Sequence, residues 1–169
     1  MLRYYAPLEV YYERASKKRN PILEFRGRYR FLSNFFPCDV HLHNIVFKSS
    51  EHAFMWHKSK NRKYRQQIMD APTASEAKRL GNNNRLNAMG LLRDDWRDDS
   101  VRIKAMYDVL KAKYEDARLR LLLLETEQSF LSEGNHWQDY FWGECNGKGE
   151  NHLGRLSMVV RHQISIQLL

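Results

Sequence analysis

The thirteen residues from Trp142 to Gly154 constrain the chain more than any other stretch, because four of them are glycines. Glycine lets the backbone adopt positive φ angles and approach other groups closely. An amphipathic run follows, and a helix that begins near Asn151 would direct its free N–H groups at an anion. The stretch therefore predicts either a loop that binds a flat, phosphorylated ligand or a solvated turn before a C-terminal helix.

The composition indicates one folded domain. The chain has 169 residues, of which 43% are hydrophobic and 12% aromatic, which suffices for a single core. No apolar run reaches the ~18 residues needed to cross a bilayer, and the N-terminus lacks the apolar segment of a signal peptide. The two isolated cysteines, Cys38 and Cys145, are expected to be free thiols. These features predict a cytoplasmic protein without membrane contact.

Basic residues dominate the charge balance. The formal net charge is +8, and the excess is concentrated in three runs at residues 14–19, 26–30 and 57–63. Arginines alternate with glycine and tyrosine between Arg26 and Arg30, and this mixture of cations and an aromatic ring suits phosphate contact with base stacking. The runs favour an anionic partner such as DNA, although basic runs also occur on solvated surfaces.

Hydrophobic periodicity and capping signals predict a helix-rich α+β domain with a small β-sheet. Residues 1–20 are interpreted as a basic and aromatic N-terminal extension, and residues 21–169 as the domain. Alternation around His43-Asn44 predicts a hairpin, and Arg161 is expected off the apolar face of the last helix. The other expected elements are a strand over 22–31, helices over 50–60, 64–69 and 73–80, a polar loop over 82–87, helices from about 100 and over 119–124, strand-like pieces at 130–131 and 140–142, and a helix from about 151.

Several polar residues are predicted at the ends of these elements, where functional sites are usually built. Glu51 would lie in the first turn of a helix, where it either caps the helix or stabilises a developing cation. Asp139 and Glu133 are candidates for a second carboxylate, or for turn and capping roles. Trp96 and Trp142 offer indole faces suited to stacking on a base, although tryptophan is more often part of a core.

Other chemistries find little support. His41, His43, His52 and His57 lack the paired spacing of H-E-x-x-H, so no metal site is expected. The chain has no C-x-x-C, no P-loop and no G-x-G-x-x-G after a strand. These absences argue against thiol chemistry, an NTPase and a Rossmann enzyme, and we expect no cofactor.

Five motifs follow one another in order from about Phe25 to the C-terminus. They are Leu32-Ser33-Asn34-Phe35; Ser50-Glu51-His52 with Lys58; Lys78-Arg79-Leu80-Gly81; Asp95-Trp96 with Met106, Leu110, Lys113 and Tyr114; and an ending of Glu133, Asp139, Trp142-Gly143, Gly149, Asn151, Leu153-Gly154, Met158 and Arg161. In this order they resemble the motifs of the NADAR superfamily, the YbiA-like proteins. The chain departs from that pattern at Cys145, where the family usually has glycine.

The resemblance implies a helix-rich α+β fold and an N-glycosidase, which hydrolyses the bond between C1′ of a ribosyl or ADP-ribosyl group and a nitrogen base. Two substrate classes are associated with the family: ADP-ribose on guanine in DNA, and phosphorylated ribosylamino-pyrimidine intermediates of riboflavin synthesis. The basic runs favour the DNA substrate. The alternatives are a module that binds ADP-ribose or NAD without cleaving it, and a plain nucleic-acid-binding protein. The carboxylates favour an enzyme.

In this interpretation Glu51 is the principal catalytic carboxylate and Asp139 the second. Trp142 and Trp96 are expected to stack on the base, and the amides of residues 147–149 to hold phosphate. The remaining substrate-binding candidates are Ser33, Asn34, Lys58, Glu133, Gly143, Gly149 and Asn151. The oligomeric state stays open.

Overall fold

The computed structural model describes residues 20–167. The strands are β1 (Val40–Leu42) and β2 (Ile45–Phe47), and the α-helices are α1 (Ser50–His57), α2 (Arg62–Asp70), α3 (Ala74–Leu80), α4 (Asn83–Ala88), α5 (Asp99–Lys113), α6 (Ala117–Leu124) and α7 (His152–Gln167). Two short 3₁₀ helices span Gly27–Leu32 and Asp94–Arg97. The predicted fold class, helix-rich with a small sheet, is confirmed. The N-terminal extension lies outside the described residues, so the boundary at residue 20 stays a prediction.

The described chain divides into a central unit, residues 34–116, and a terminal unit, residues 20–33 and 117–167. In the central unit, α1 packs against α2, α3 and α5, and the hairpin packs on α1 and α5. In the terminal unit, α6 packs against α7 and the 3₁₀ helix Gly27–Leu32. Within residues 20–167, no helix is both long enough and apolar enough to cross a membrane.

The predicted hairpin is confirmed. Strands β1 and β2 are antiparallel, with Val40 opposite Phe47 and Leu42 opposite Ile45. The two connecting residues, His43 and Asn44, have φ angles of 55° and 59°, which is the geometry of a type I′ turn that matches the twist of the strands. Val40 and Phe47 are buried, so the open end of the hairpin belongs to the core.

Capping chemistry sets where the helices begin, as predicted. The Ser49 side chain accepts a hydrogen bond from the backbone N–H of His52, so α1 begins at Ser50. Thr73 Oγ1 accepts from the N–H of Glu76 at 3.1 Å, and α3 then runs to Leu80. The long helix predicted from about Ser100 begins at Asp99.

Four predicted elements are wrong or too long. The strand over 22–31 is reduced to a single bridge between Ile22 and Leu131, because Gly27 has a φ of +54° and starts a 3₁₀ helix. The polar loop over 82–87 is instead largely α4, since Asn82 caps that helix. Helix α1 ends at His57 rather than near residue 60, and residues 140–142 form a turn rather than a strand.

Arg161, which the sequence predicted off the apolar face of the last helix, has a buried side chain. Arg161 is only 2% exposed. Its Nη1 donates to Thr126 Oγ1 at 2.6 Å, and its Nη2 donates to the carbonyl oxygen of Ser129 at 2.9 Å. The guanidinium therefore ties α7 to the segment that follows α6.

Replacing Arg161 with methionine is expected to lower the free energy of unfolding by about 2–3 kcal/mol, because charge-assisted hydrogen bonds are lost while buried acceptors remain. Urea denaturation followed by circular dichroism measures this. Arg155→Met is the control: Arg155 lies on the exposed side of the same helix, and surface substitutions usually change stability by less than about 0.5 kcal/mol. Equal losses in the two variants would contradict the structural role of Arg161.

Candidate active site

The first turn of α1 places Glu51 in a buried polar environment within the central unit. Glu51 is 6% exposed and Asn34 is 7% exposed. The backbone N–H of Glu51 donates to the carbonyl oxygen of Asn34 at 3.0 Å. Asn34 Nδ2 donates to Met106 Sδ at 3.4 Å, whereas its Oδ1 has no hydrogen-bond partner in the described part of the chain. A buried oxygen without a partner costs about 1–3 kcal/mol, so Asn34 Oδ1 suits a ligand that donates a hydrogen bond.

His52 holds the start of α1 in place. Its Nδ1 lies 2.7 Å from Ser49 Oγ, and its Nε2 lies 3.2 Å from the carbonyl oxygen of Ala71. Because a carbonyl oxygen only accepts, Nε2 carries the proton and Nδ1 accepts from the serine hydroxyl. Burial lowers the pKa of His52, which favours this neutral tautomer.

Lys58 lies seven residues after Glu51 and therefore on the same side of the helix axis. Its Nζ donates to the carbonyl oxygen of Gly81 and to Asn83 Oδ1, both at 2.8 Å. Burial lowers the pKa of Lys58 to about 8, while the negative charge of Glu51 acts in the opposite direction. The site therefore holds, near Glu51, a cation that binds its proton less tightly than an exposed lysine does.

Trp96, a predicted base-stacking residue, belongs to the core of the central unit. It is 1% exposed, and its ring centroid lies 5.3 Å from that of Phe54. The indole packs on the same helix, α1, that carries Glu51. A stacking role for Trp96 would require this contact to open, and it stays a prediction.

In the terminal unit, the glycine-rich stretch folds back on itself in a tight turn. Cys145 and Lys148 exchange backbone hydrogen bonds of 2.8 and 3.1 Å, and the two residues between them, Asn146 and Gly147, have φ angles of 53° and 72°. The turn uses the N–H of Lys148, which is therefore directed at Cys145 rather than at a phosphate. Cys145 is buried and has a negative φ, so the backbone accepts a side chain at this position.

Two other glycines are required by close backbone packing. A Cβ atom on Gly143 would lie 2.1 Å from the carbonyl oxygen of Glu133. One on Gly149, whose φ is +147°, would lie 2.2 Å from the carbonyl oxygen of Gly143. These two glycines therefore allow backbone segments to pack against each other. The sequence analysis had instead explained the glycines by close approach of the backbone to a ligand.

Asn151 joins the start of α7 to the segment before the turn. Its Oδ1 accepts from the N–H of Glu133 at 3.1 Å, and its Nδ2 donates to the carbonyl oxygen of Leu131 at 2.8 Å. The residue is 1% exposed. Both the oxygen and the nitrogen of the amide therefore bind backbone groups, and Asn151 positions these segments. Contact of Asn151 with a substrate stays a prediction.

Asp139 and Trp142 are brought together in the same unit. Asp139 Oδ1 accepts from the backbone N–H of Trp142 at 2.9 Å. Asn135 organises this turn, since its Nδ2 donates to the carbonyl oxygen of Asp139 at 2.9 Å and its Oδ1 accepts from the N–H of Asp139 at 3.0 Å. Trp142 is half-buried, so part of its indole remains open to a ligand.

The predicted site residues form two sets, one in each unit. The central unit brings together Asn34, Glu51 and Lys58 around α1, and it buries Trp96 beside them. The terminal unit gathers Glu133, Asp139, Trp142, Gly143, Gly149 and Asn151 around the turn, and Ser33 ends its 3₁₀ helix. Sequence reasoning missed Asn83 and Asn135; only the unusual run of asparagines at 82–84 pointed to the first.

Among residues 20–167, no three His, Cys, Asp or Glu side chains are arranged to hold a metal.

The chain belongs to the NADAR family, as its motifs predicted, because the NADAR domain model matches residues 17–165. It is 36% identical to the N-glycosidase YbiA of Shigella sonnei over 82% of this chain and 84% of that protein. It is 32% identical to a riboflavin biosynthesis protein of Vibrio vulnificus over 79% of this chain and 35% of that protein. The solution structure of Escherichia coli YbiA is similar, with a TM-score of 0.76, 32% identity and 89% of each chain covered.

Replacing Gly143 with alanine is expected to destabilise the protein by about 3 kcal/mol, because the new methyl group overlaps a backbone oxygen that cannot rotate away. Gly147→Ala is the matched control in the same turn: it meets nothing within 4 Å and carries only the cost of a positive φ, about 1 kcal/mol. Thermal unfolding of both variants provides the comparison. If Gly147→Ala lost as much stability as Gly143→Ala, close packing would not be the reason for Gly143.

Proposed function

We propose that this chain is a cytoplasmic N-glycosidase that removes ADP-ribose from guanine in DNA. The observation that carries the enzymatic part is the buried cluster of Glu51, Asn34 and Lys58, which combines a carboxylate, an unsatisfied acceptor and a cation of lowered pKa. Buried titratable groups with perturbed pKa values are typical of catalytic sites. The relatives named N-glycosidase support the reaction class.

The reaction is hydrolysis through an oxocarbenium-like transition state. The oxygen of water bonds to C1′, the C1′–N bond breaks, and its electron pair goes to the base nitrogen, which takes up a proton. Glu51 stabilises the positive charge on the sugar and accepts the proton of the attacking water. In this step Asn34 Oδ1 accepts a hydrogen bond from a ribose hydroxyl.

Exposed basic residues support a nucleic-acid substrate. Arg28 and Arg30 are exposed on the 3₁₀ helix of the terminal unit, and Arg26 is exposed just before it. In the central unit, Lys60, Arg62 and Lys63 are exposed. Such side chains neutralise phosphates along a strand, and a small metabolite does not require them. The basic run at 14–19 lies outside the described residues.

Hydrolysis of phosphorylated ribosylamino-pyrimidines is the second candidate. Relatives in Vibrio vulnificus and in Zea mays are named riboflavin biosynthesis proteins, and this chain spans about a third of the first and a quarter of the second. Both candidates share the same bond cleavage at C1′. A module that binds ADP-ribose without cleaving it is a third candidate, and it would not require Glu51.

Glu51→Gln is expected to lower kcat by at least ~10²-fold, because the amide neither stabilises the cation nor accepts the water proton. Base released from an ADP-ribosyl-guanine oligonucleotide, quantified by mass spectrometry, measures the rate. Glu76→Gln is the control, since Glu76 is an ion-paired glutamate on α3 away from this cluster. Near-normal activity of Glu51→Gln would remove Glu51 from the mechanism.

Activity on the modified oligonucleotide is expected to fall with salt, because bound phosphates release counterions. Three phosphate contacts on single-stranded DNA would lower kcat/KM by about 20-fold between 50 and 200 mM salt, given a slope near −0.7 per contact. The ribosylamino-pyrimidine phosphate, assayed in parallel, should be cleaved slowly with little salt dependence. Salt-independent cleavage of the oligonucleotide, or faster cleavage of the pyrimidine, would favour the riboflavin-type substrate.

A further inference from the structure

A polar cavity in the central unit has no part in the mechanism above. It has a volume of about 300 Å³ and lies between α4 and the start of α5. Its lining includes Trp96 and five polar side chains: Asn83, Asn84, Asn87, Arg97 and Arg102. The volume is at the lower end of the range for small-molecule sites, which suits a small polar group rather than a whole nucleotide.

Two of the three asparagine side chains that line this cavity have their oxygens turned toward cations of the protein. Asn83 Oδ1 accepts from Lys58 Nζ at 2.8 Å, and Asn87 Oδ1 accepts from Arg97 Nη2 at 3.4 Å. An amide whose oxygen is engaged in this way retains its NH₂ group for a ligand. Together with two guanidinium groups, which only donate, these amides make a wall that selects for hydrogen-bond acceptors.

The charge of the cavity wall is positive. Arg97 makes no ion pair with residues 20–167, whereas Arg102 pairs with Asp99. Two nearby carboxylates have other partners: Asp95 binds Arg93, and Asp98 Oδ1 accepts from the N–H of Ser100 at 2.8 Å. An anion that enters the cavity therefore meets Arg97 directly and shares Arg102 with Asp99.

We propose that this cavity binds the phosphate or diphosphate group of the substrate. The inference rests on the proposed function, because both candidate substrates join a phosphorylated ribose to a base. Lys58 connects the cavity with the Glu51 cluster. It directly follows α1, which carries Glu51, and its Nζ contacts Asn83 at the cavity wall. The planar guanidinium of Arg97 matches the oxygen geometry of a phosphate group.

The direct test is isothermal titration of the full chain with inorganic pyrophosphate, ADP-ribose, ribose 5-phosphate and adenosine. The three phosphate-bearing probes are expected to bind and adenosine is not. Tighter binding of pyrophosphate and ADP-ribose than of ribose 5-phosphate indicates a diphosphate, and the reverse order indicates a monophosphate. If adenosine binds as tightly as ADP-ribose, or if pyrophosphate does not bind at all, the assignment is overturned.

Variants locate the binding. Arg97→Ala is expected to weaken pyrophosphate binding at least about tenfold, as loss of a charge-assisted hydrogen bond does, and Arg97→Lys restores part of it. Asn84→Asp, which adds a negative charge at the wall, also weakens binding. Arg79→Ala is the control: Arg79 is an exposed arginine paired with Glu76 outside this cavity, and its removal leaves binding unchanged. Unchanged binding in both Arg97→Ala and Asn84→Asp would overturn the assignment.

Kinetics separate this inference from the proposed function. On the substrate that the enzyme cleaves, Arg97→Ala is expected to raise KM with little change in kcat, because uniform binding energy is lost. Active enzyme whose KM is unaffected by Arg97→Ala overturns the phosphate subsite and leaves the glycosidase standing. Pyrophosphate binding that depends on Arg97, in a protein that cleaves neither substrate, supports the anion site and overturns the glycosidase.

Discussion

A buried ammonium group organises the central unit. Lys58 is 8% exposed, and burying a charge is costly unless hydrogen bonds and an opposite charge compensate for it. The carbonyl oxygen of Gly81, the amide of Asn83 and the carboxylate of Glu51 provide that compensation. The end of α1, the turn after α3 and the start of α4 are consequently joined through one nitrogen atom.

Around the glycine-rich stretch of the terminal unit, neutral side chains join backbone segments. The amide of Asn151 joins backbone groups 18 and 20 residues away, and that of Asn135 joins backbone groups 4 and 9 residues away. Gly143 and Gly149 let backbone segments come into contact there. Asp139 and the half-exposed Trp142 are presented by this framework. The glycine-rich stretch is therefore a support for candidate site residues more than a ligand cradle in itself.

Features governed by neighbouring residues were predictable from the sequence. The turn at His43-Asn44 and the cap at Ser49 depend on a few adjacent positions, and the ordered motifs pointed to Glu51. The burial of Arg161 was not predictable, because its partner Thr126 lies 35 residues away and periodicity treats arginine as a surface residue. The contact of Lys58 with Asn83 depends in the same way on tertiary packing.

The protonation state of His52 determines the range of pH over which the start of α1 keeps its hydrogen bonds. Its neutral ring bridges Ser49 and Ala71, and a lowered pKa keeps it neutral where a free histidine would begin to charge. Stability from this bridge is complete above the ordinary histidine pKa and is lost as the pH falls through the lowered value. The start of α1, and Glu51 with it, therefore keeps its hydrogen bonds under mildly acidic conditions.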